Sequence, residues 1–338
     1  MTVTKLFEII DFQLQEYPQS CALAGKENGV WKKYSSAAFK SAVNHVSYGL
    51  LQLGINKGDK VAIISNNRPE WNFADLGILQ AGAINVPIYP TISDRDLEYI
   101  LMDAEVKVVF VSSADLAAKT KAVTQNWTSP PAIYSFNKVD NIPHFSELLD
   151  IGKAHPAEAT VHSIRDSIHP GDLATLIYTS GTTGDPKGVM LSHQNLVSNF
   201  LSVRKLPPVK AGDRVLSFLP LNHIYERMLT YLNMYLGASI YYAESLETIG
   251  DNIREIQPVS FSAVPRLIEK VYDKIVSKGS ALEGFKRKMF MWALELGLQY
   301  DPEKPGSVAY RIQMAVANRL IFSKWREALG GNVKAIVS

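Results

Sequence analysis

The stretch that decides the fold is Leu176 to Asn195, LIYTSGTTGDPKGVMLSHQN. An apolar, β-forming run (Leu173, Leu176, Ile177, Tyr178) leads into Thr179, Ser180, Gly181, Thr182, Thr183 and Gly184, so a strand gives way to a loop. Pro186, Lys187 and Gly188 close the block, Val189, Met190 and Leu191 form a second apolar run, and Ser192 is placed to cap a helix starting at His193. Short side chains let backbone N–H groups approach an anion, hydroxyls add donors, and a lysine can follow a flexible chain of charges. These residue types suit a polyphosphate.

Two familiar phosphate templates fail. A P-loop needs glycines five apart, the second followed by Lys and Ser or Thr, but Pro186 lies five after Gly181 and Gly188 follows Lys187. A GxGxxG dinucleotide fingerprint is also absent around Gly181 and Gly184. A bland glycine-rich surface loop is the alternative, and the flanking strands, the six consecutive Thr, Ser or Gly residues and the closing PKG weigh against it.

Working outward, strands and helices alternate. Asn28 and Gly29 predict a hairpin turn between strands Cys21–Gly25 and Val30–Tyr34. Ser35 or Ser36 then caps a helix carrying Phe39, Val43, Val46, Leu50 and Leu53 on one stripe, with Gly54 as its stop. From Lys60 the pattern predicts strand Val61–Ser65, helix Pro69–Gln80, strand Ile84–Tyr89, helix Asp94–Ala104 and strand Val106–Val111. Between Ser113 and Asp166 only a helix near Leu116–Thr124 and a strand near Ala132–Phe136 stand out. After the loop come helix His193–Val203, strand Arg214–Phe218, helix Tyr225–Leu236, strand Ser239–Tyr242, helix Leu246–Ile256 and strand Val259–Val264. Helical segments Pro265–Ser277, Leu282–Leu298 and Val308–Leu329 follow, then strand Val333–Val337. Near-continuous apolar strands alternating with helices predict an α/β protein with mostly parallel sheet covered on both faces.

At 338 residues the chain exceeds one core, so two packed lobes are expected. Lysine and arginine (35) nearly balance aspartate and glutamate (33), which gives no electrostatic case for nucleic acid. Cys21 is the single cysteine, excluding an intramolecular disulfide and a cysteine-based zinc site, as suits a reducing, cytoplasmic setting. The uncharged span Leu76 to Ser93 is broken by Pro87 and Pro90, and Met228 to Ala243 is shorter than the roughly 20 residues a spanning helix needs. The last helix sets Ile312, Val316, Leu320 and Ile321 against Arg311, Arg319, Lys324 and Arg326. The expectation is a core-packed helix with a solvated basic face; peripheral contact with anionic lipid at the inner face of a membrane is the weaker alternative. A strand that finishes at Ser338 without cap or tail predicts a chain cut from a longer protein.

YTSGTTGDPKG, Tyr178 to Gly188, resembles the AMP-binding signature of the adenylate-forming enzymes, a superfamily that includes acyl-CoA synthetases, luciferases and peptide-synthetase adenylation domains. GDKVAIISNNRPEW (Gly58 to Trp71) and AGAINVPIYPT (Ala81 to Thr91) resemble the early region of acyl-activating enzymes. LPLNHIYER (Leu219 to Arg227) is similar to a form found in long-chain fatty acyl-CoA synthetases, and SAVPRLIEKVY (Ser262 to Tyr272) resembles the same subgroup. The resemblance runs from about residue 30 to Ser338.

That resemblance implies a truncated N-terminal adenylation domain (1–338) of two interleaved lobes, 58–205 around the phosphate loop and 1–57 with 206–338 around an acyl pocket. It implies activation of a long-chain fatty acid by ATP to an acyl-adenylate and then to acyl-CoA, with Mg²⁺ and coenzyme A required. Tyr178, Thr179, Ser180, Gly181, Thr182, Thr183, Gly184 and Lys187 would bind the nucleotide, with Thr182 on the metal. His223 and Tyr225, beyond a strand end where parallel sheets place ligands, would meet the acyl group. Thr182, Lys187 and His223 are the expected catalytic residues. Glu226, Arg227 and Arg266 carry no assigned role, the first two reading as structural partners. The family's metal-binding Glu, ribose-binding Asp and adenylation Lys motifs are not in this sequence, so little activity is expected from it alone. A non-catalytic nucleotide- or acyl-binding module, or an adenylating enzyme for another carboxylic acid, are the competing readings.

Overall fold

The computed structural model describes residues 2–179, 184–245, 247–304 and 306–338. Helix α1 (Glu8–Glu16) precedes the hairpin β1 (Leu23–Glu27) and β2 (Val30–Tyr34), whose turn takes the left-handed conformation at both Asn28 (φ 50°) and Gly29 (φ 77°). Helix α2 (Ser36–Gln52) starts where the Ser35 hydroxyl accepts from the Ala38 N–H. Then come β3 (Lys60–Ile64), α3 (Pro69–Gln80), β4 (Ile84–Ile88), α4 (Asp94–Asp103), β5 (Val106–Val111), α5 (Ala114–Thr124) and β6 (Ala132–Ser135). Pro69 opens α3, and Ser93 and Ser113 cap α4 and α5.

Two helices that the polar segment before Asp166 did not reveal follow: α6 (Phe145–Ala154), opened by a capping box between His144 and Glu147, and α7 (Glu158–Ser167). Strands β7 (Leu173–Thr179) and β8 (Lys187–Ser192) come next, and α8 (His193–Val203) is capped by Ser192. The remainder is β9 (Arg214–Ser217), α9 (Ile224–Tyr235), β10 (Ser239–Tyr242), α10 (Ile249–Ile256), β11 (Ser260–Ser262), α11 (Pro265–Ser280), α12 (Gly284–Leu298), α13 (Val308–Ala317), α14 (Ser323–Ala328) and β12 (Ala335–Val337). The predicted last helix is thus divided, with a π-helical turn at Asn318–Phe322 between α13 and α14.

The strands form two six-stranded sheets, β12-β11-β9-β10-β1-β2 and β6-β5-β3-β4-β7-β8. Each is parallel except at one edge, where the β1–β2 and β7–β8 hairpins add an antiparallel strand. The first hairpin therefore crosses over to join strands from the last third of the chain. Pairing Thr179 with Lys187 makes the central loop the tip of the second hairpin, whereas periodicity alone had shown only two apolar runs.

One core is shared between the sheets. Val61 and Ile63 of β3 point into a cluster with Trp71, Leu76, Val215 and Ile240, while Ala62 and Ile64 pack on the other face with Leu97, Ile100 and Leu116. Helix α3 is apolar on every side, and 11 of its 12 residues are buried between the sheets. Gly49 and Gly152 allow α2 and α6 to touch: a Cβ at Gly152 would lie 2.0 Å from the His45 carbonyl oxygen. The expected core packing of the last helix is corrected, because Ile312, Val316 and Leu320 are 62%, 45% and 43% exposed. Ile321, the fourth residue of that stripe, is half-buried and packs with Tyr310, Met314, Ala317 and Phe322 against α12. No described helix is long and apolar enough to cross a membrane.

Candidate active site where the two sheets meet

Ser180, Gly181, Thr182 and Thr183, the centre of the predicted phosphate loop and including its expected metal ligand, lie outside the described residues. Their flanks are defined. Thr179 and Lys187 face each other at the turn end of the β7–β8 hairpin, both exposed, and Gly184 adopts φ 124°, a conformation closed to most side chains. Asp185 is drawn aside by Arg95 of α4, with oxygen and guanidinium 2.9 Å apart. The Tyr178 hydroxyl donates to Asp103, while burial and that carboxylate push its pKa upward. Its ring lies against Gly188, where a Cβ would come within 3.2 Å.

His223 is the N-cap of α9 and is exposed. Its Nδ1 accepts the Tyr225 N–H at 3.3 Å, and a backbone N–H can only donate, so the neutral ring carries its proton on Nε2. The exposed edge of His223 is therefore a hydrogen-bond donor, suited to a carboxylate or phosphate oxygen. The Tyr225 hydroxyl is buried without a hydrogen-bond partner among the described residues, an arrangement that costs about 1–3 kcal/mol until something accepts or donates there. Burial, with the Glu226 carboxyl nearby, raises its pKa.

Side chains that sequence reasoning left unassigned hold this turn against the other sheet. Asn67, just after β3, donates to the Leu219 carbonyl at 2.7 Å and accepts from the Leu221 N–H at 2.9 Å. Asn222 donates to the carbonyl of Ile88, the last residue of β4. Since β4 and β7 are adjacent and parallel, the His223 turn meets the carboxyl edge of the sheet whose next strand leads into the phosphate loop. Behind it, Arg227 donates from Nη1 to the Thr175 hydroxyl on β7 at 2.8 Å and pairs through Nη2 with Asp75 of α3 at 2.5 Å, all three fully buried. Tyr231 and Asn85 also donate to Asp75. Arg227 is thus the structural partner expected. Glu226 is buried too, with hydroxyls of Ser217 and Ser262 as its donors; burial, only partly offset by those hydrogen bonds, raises its pKa to about 7.

A cleft of about 590 Å³ opens elsewhere on the same carboxyl edge, where β3 crosses over to one side and β5 to the other, lined by Ser65, Arg68, Ser112 and Lys119. It includes neither Lys187 nor His223, and its cations are engaged: Arg68 by Glu70, Lys119 by Asp94, and Lys26 by Glu255. Among the described residues no three His, Cys, Asp or Glu form a metal cluster. Magnesium that arrives on nucleotide phosphates needs only one or two protein oxygens, and the hydroxyl expected to supply one belongs to Thr182.

Residues 10–329 match the AMP-binding enzyme family. A long-chain-fatty-acid–CoA ligase of Xenopus laevis is 32% identical over 98% of this chain and 46% of its own length. A ligase of the same description from Mycobacterium bovis is 32% identical over 92% of this chain and 52% of its own. The chain thus spans about half the length of the curated relatives it matches. Among solved structures, the inhibitor-bound N-terminal domain of FACL13 from Mycobacterium tuberculosis superposes with a TM-score of 0.65, covering 79% of this chain and 64% of that one at 24% identity. A Rhodopseudomonas palustris protein described as a putative long-chain-fatty-acid CoA ligase gives 0.67 over 80% and 65%, at 19% identity. These likenesses establish the two-sheet fold.

Proposed function

The chain belongs to the AMP-binding enzyme family, and from that premise we propose that the protein carrying it activates a long-chain fatty acid with ATP and transfers the acyl group to coenzyme A. In the first half-reaction a carboxylate oxygen attacks the α-phosphorus and pyrophosphate leaves. In the second the coenzyme A thiolate attacks the acyl carbon and AMP leaves. A fatty carboxylate is already ionised at neutral pH, so the first step needs no general base. The difficulty is bringing an anion to a polyanion, which calls for positioned donors and cations.

The observation that carries the reading is the His223 turn. It offers an exposed Nε2–H from one sheet at the carboxyl edge of the other, beside the strand that leads toward Lys187. We assign Lys187 to the nucleotide phosphates and His223 with Tyr225 to the carboxylate and acyl side; the orphaned Tyr225 hydroxyl favours a polar substrate atom there. Thr179, Ser180, Gly181, Thr182, Thr183 and Gly184 would supply short hydroxyls and backbone N–H groups to the phosphates. Magnesium, when bound with ATP, neutralises charge on the phosphate oxygens. In this reading the reaction lies between a phosphate-loop lobe, 58–205, and an acyl lobe, 1–57 with 206–338.

The test is pyrophosphate release by the intact protein with ATP, Mg²⁺ and palmitate, in wild type, Lys187→Ala and His223→Ala. Loss of a transition-state donor is worth about 10²- to 10³-fold in kcat. Both variants at the wild-type rate would refute the assignment. The 338-residue chain alone is expected to form little acyl-CoA, and robust turnover by it would show that the family motifs not found in this sequence are dispensable.

A further inference from the structure

Asn67 is half-buried and lies beyond β3, outside the motifs assigned to either substrate. Its carboxamide is spent on one short segment of the other sheet's lobe. Nδ2 donates to the Leu219 carbonyl at 2.7 Å and to the Ser217 hydroxyl at 3.2 Å, and Oδ1 accepts from the Leu221 N–H at 2.9 Å. A carboxamide offers the same donor and acceptor as a peptide group, so Asn67 gives residues 219 and 221 the pairing a neighbouring strand would supply. Pro220 between them has no N–H to donate.

The segment it grips leads straight to the imidazole. The His223 N–H closes the turn on the Pro220 carbonyl at 2.9 Å, and the helix begins at the next residue. Ser217 extends the contact past the turn by donating to Glu226 of α9 at 2.6 Å. One side chain therefore touches the strand before His223 directly and, through Ser217, the helix after it. Its backbone follows β3, a strand of the sheet that also carries β7.

We propose that Asn67 is a positioning residue: it fixes the spacing between the His223 Nε2–H and the nucleotide held by the loop. This rests on the reading of His223 as the donor on the carboxylate side. Asn222 stitches the same turn to β4, so the segment leading to His223 is held by two asparagines, with the buried Arg227–Asp75 pair behind them. Carboxamides satisfy backbone groups at the junction without adding charge beside a polyanion.

The experiment is a double-mutant cycle in the intact protein, read as pyrophosphate release with ATP, Mg²⁺ and palmitate. Asn67→Ala should lower kcat about 10- to 100-fold, the cost of a misplacement near 1 Å, while the KM for ATP moves less than about 3-fold and hydrogen exchange at Leu221 and His223 accelerates. In the His223→Ala background the same change should cost almost nothing more, since it acts through that ring. Full kcat in Asn67→Ala with a slow His223→Ala would overturn the inference, as would effects that multiply in the double mutant. A wild-type rate in His223→Ala would remove the reading of His223 and this inference with it. Asn67→Asp keeps the size and the acceptor for Leu221 but loses both donors, and it is judged by the same criteria if Asn67→Ala does not fold.

Discussion

Replacing Glu226 with Gln should stabilise the protein, and only on the alkaline side of its titration. The carboxyl is 3% exposed and its donors are the Ser217 and Ser262 hydroxyls. Burial disfavours the charged form, and the two hydrogen bonds only partly restore it, so the folded-state pKa is about 7 against an ordinary 4.5. Between those values the native state keeps a proton that the unfolded state has released, so wild-type stability falls as pH rises through this window. At 1.36 kcal/mol per pH unit the loss is about 3 kcal/mol by pH 8. Gln can accept from one serine and donate to the other without ever ionising. Glu226→Gln should therefore match wild type near pH 4.5 and exceed it by about 3 kcal/mol at pH 8.

A second buried group titrates oppositely in the same range. His193 accepts the Leu6 N–H at 3.2 Å, and burial lowers its pKa from 6.5 to about 4, so it adds stability as pH rises from 4 to 6.5. Wild type alone can thus look flat, and only the difference between variant and wild type isolates Glu226. Urea unfolding followed by tryptophan fluorescence at half-unit intervals from pH 4.5 to 8 provides it. With a slope of about 3 kcal/mol/M, the expected midpoint difference at pH 8 is about 1 M. A difference that stays constant across that range would refute the account, because a packing effect has no reason to follow the titration.

Asp75→Asn leaves the Arg227 guanidinium buried opposite a neutral group and should destabilise by about 3–5 kcal/mol. Thr175→Val removes one hydroxyl from the same cluster and should cost about 1–3 kcal/mol; equal midpoints for the two variants would contradict a charge-centred network. Gly152→Ala should lower the urea midpoint by an amount equivalent to at least 1–3 kcal/mol, because its Cβ would strike the His45 carbonyl at 2.0 Å on a neighbouring helix. Full retention of stability would mean that α6 can move off α2 without penalty.

The elements with the strongest local signals were legible residue by residue. Helices Pro69–Gln80 and His193–Val203 and strands Val106–Val111 and Ser239–Tyr242 fall where caps, prolines and apolar runs placed them. Two kinds of feature were not. Helices α6 and α7 carry mixed, polar sequences, and α6 is stabilised by a His144 capping box, an uncommon cap. The hairpin that makes the phosphate loop a tip depends on β8 pairing back onto β7, and apolar spacing is silent on strand direction. The exposed stripe on α13 misled for a related reason: amphipathic spacing reports a face, not whether anything covers it.

By itself the sequence determined the local vocabulary. Its hydroxyl-rich turn ending in Pro186, Lys187 and Gly188 named an anion, and its β/α alternation named mostly parallel sheet covered by helices, because both depend on residues close together along the chain. Only the tertiary structure decided what meets what. Asn67 reads a turn 152 residues away at Leu219, Arg227 of α9 finds Asp75 of α3, and the His223 tautomer follows from one backbone N–H. Hydrogen bonds act over about 3 Å, so which donor reaches which acceptor is decided only once the two sheets have closed over α3.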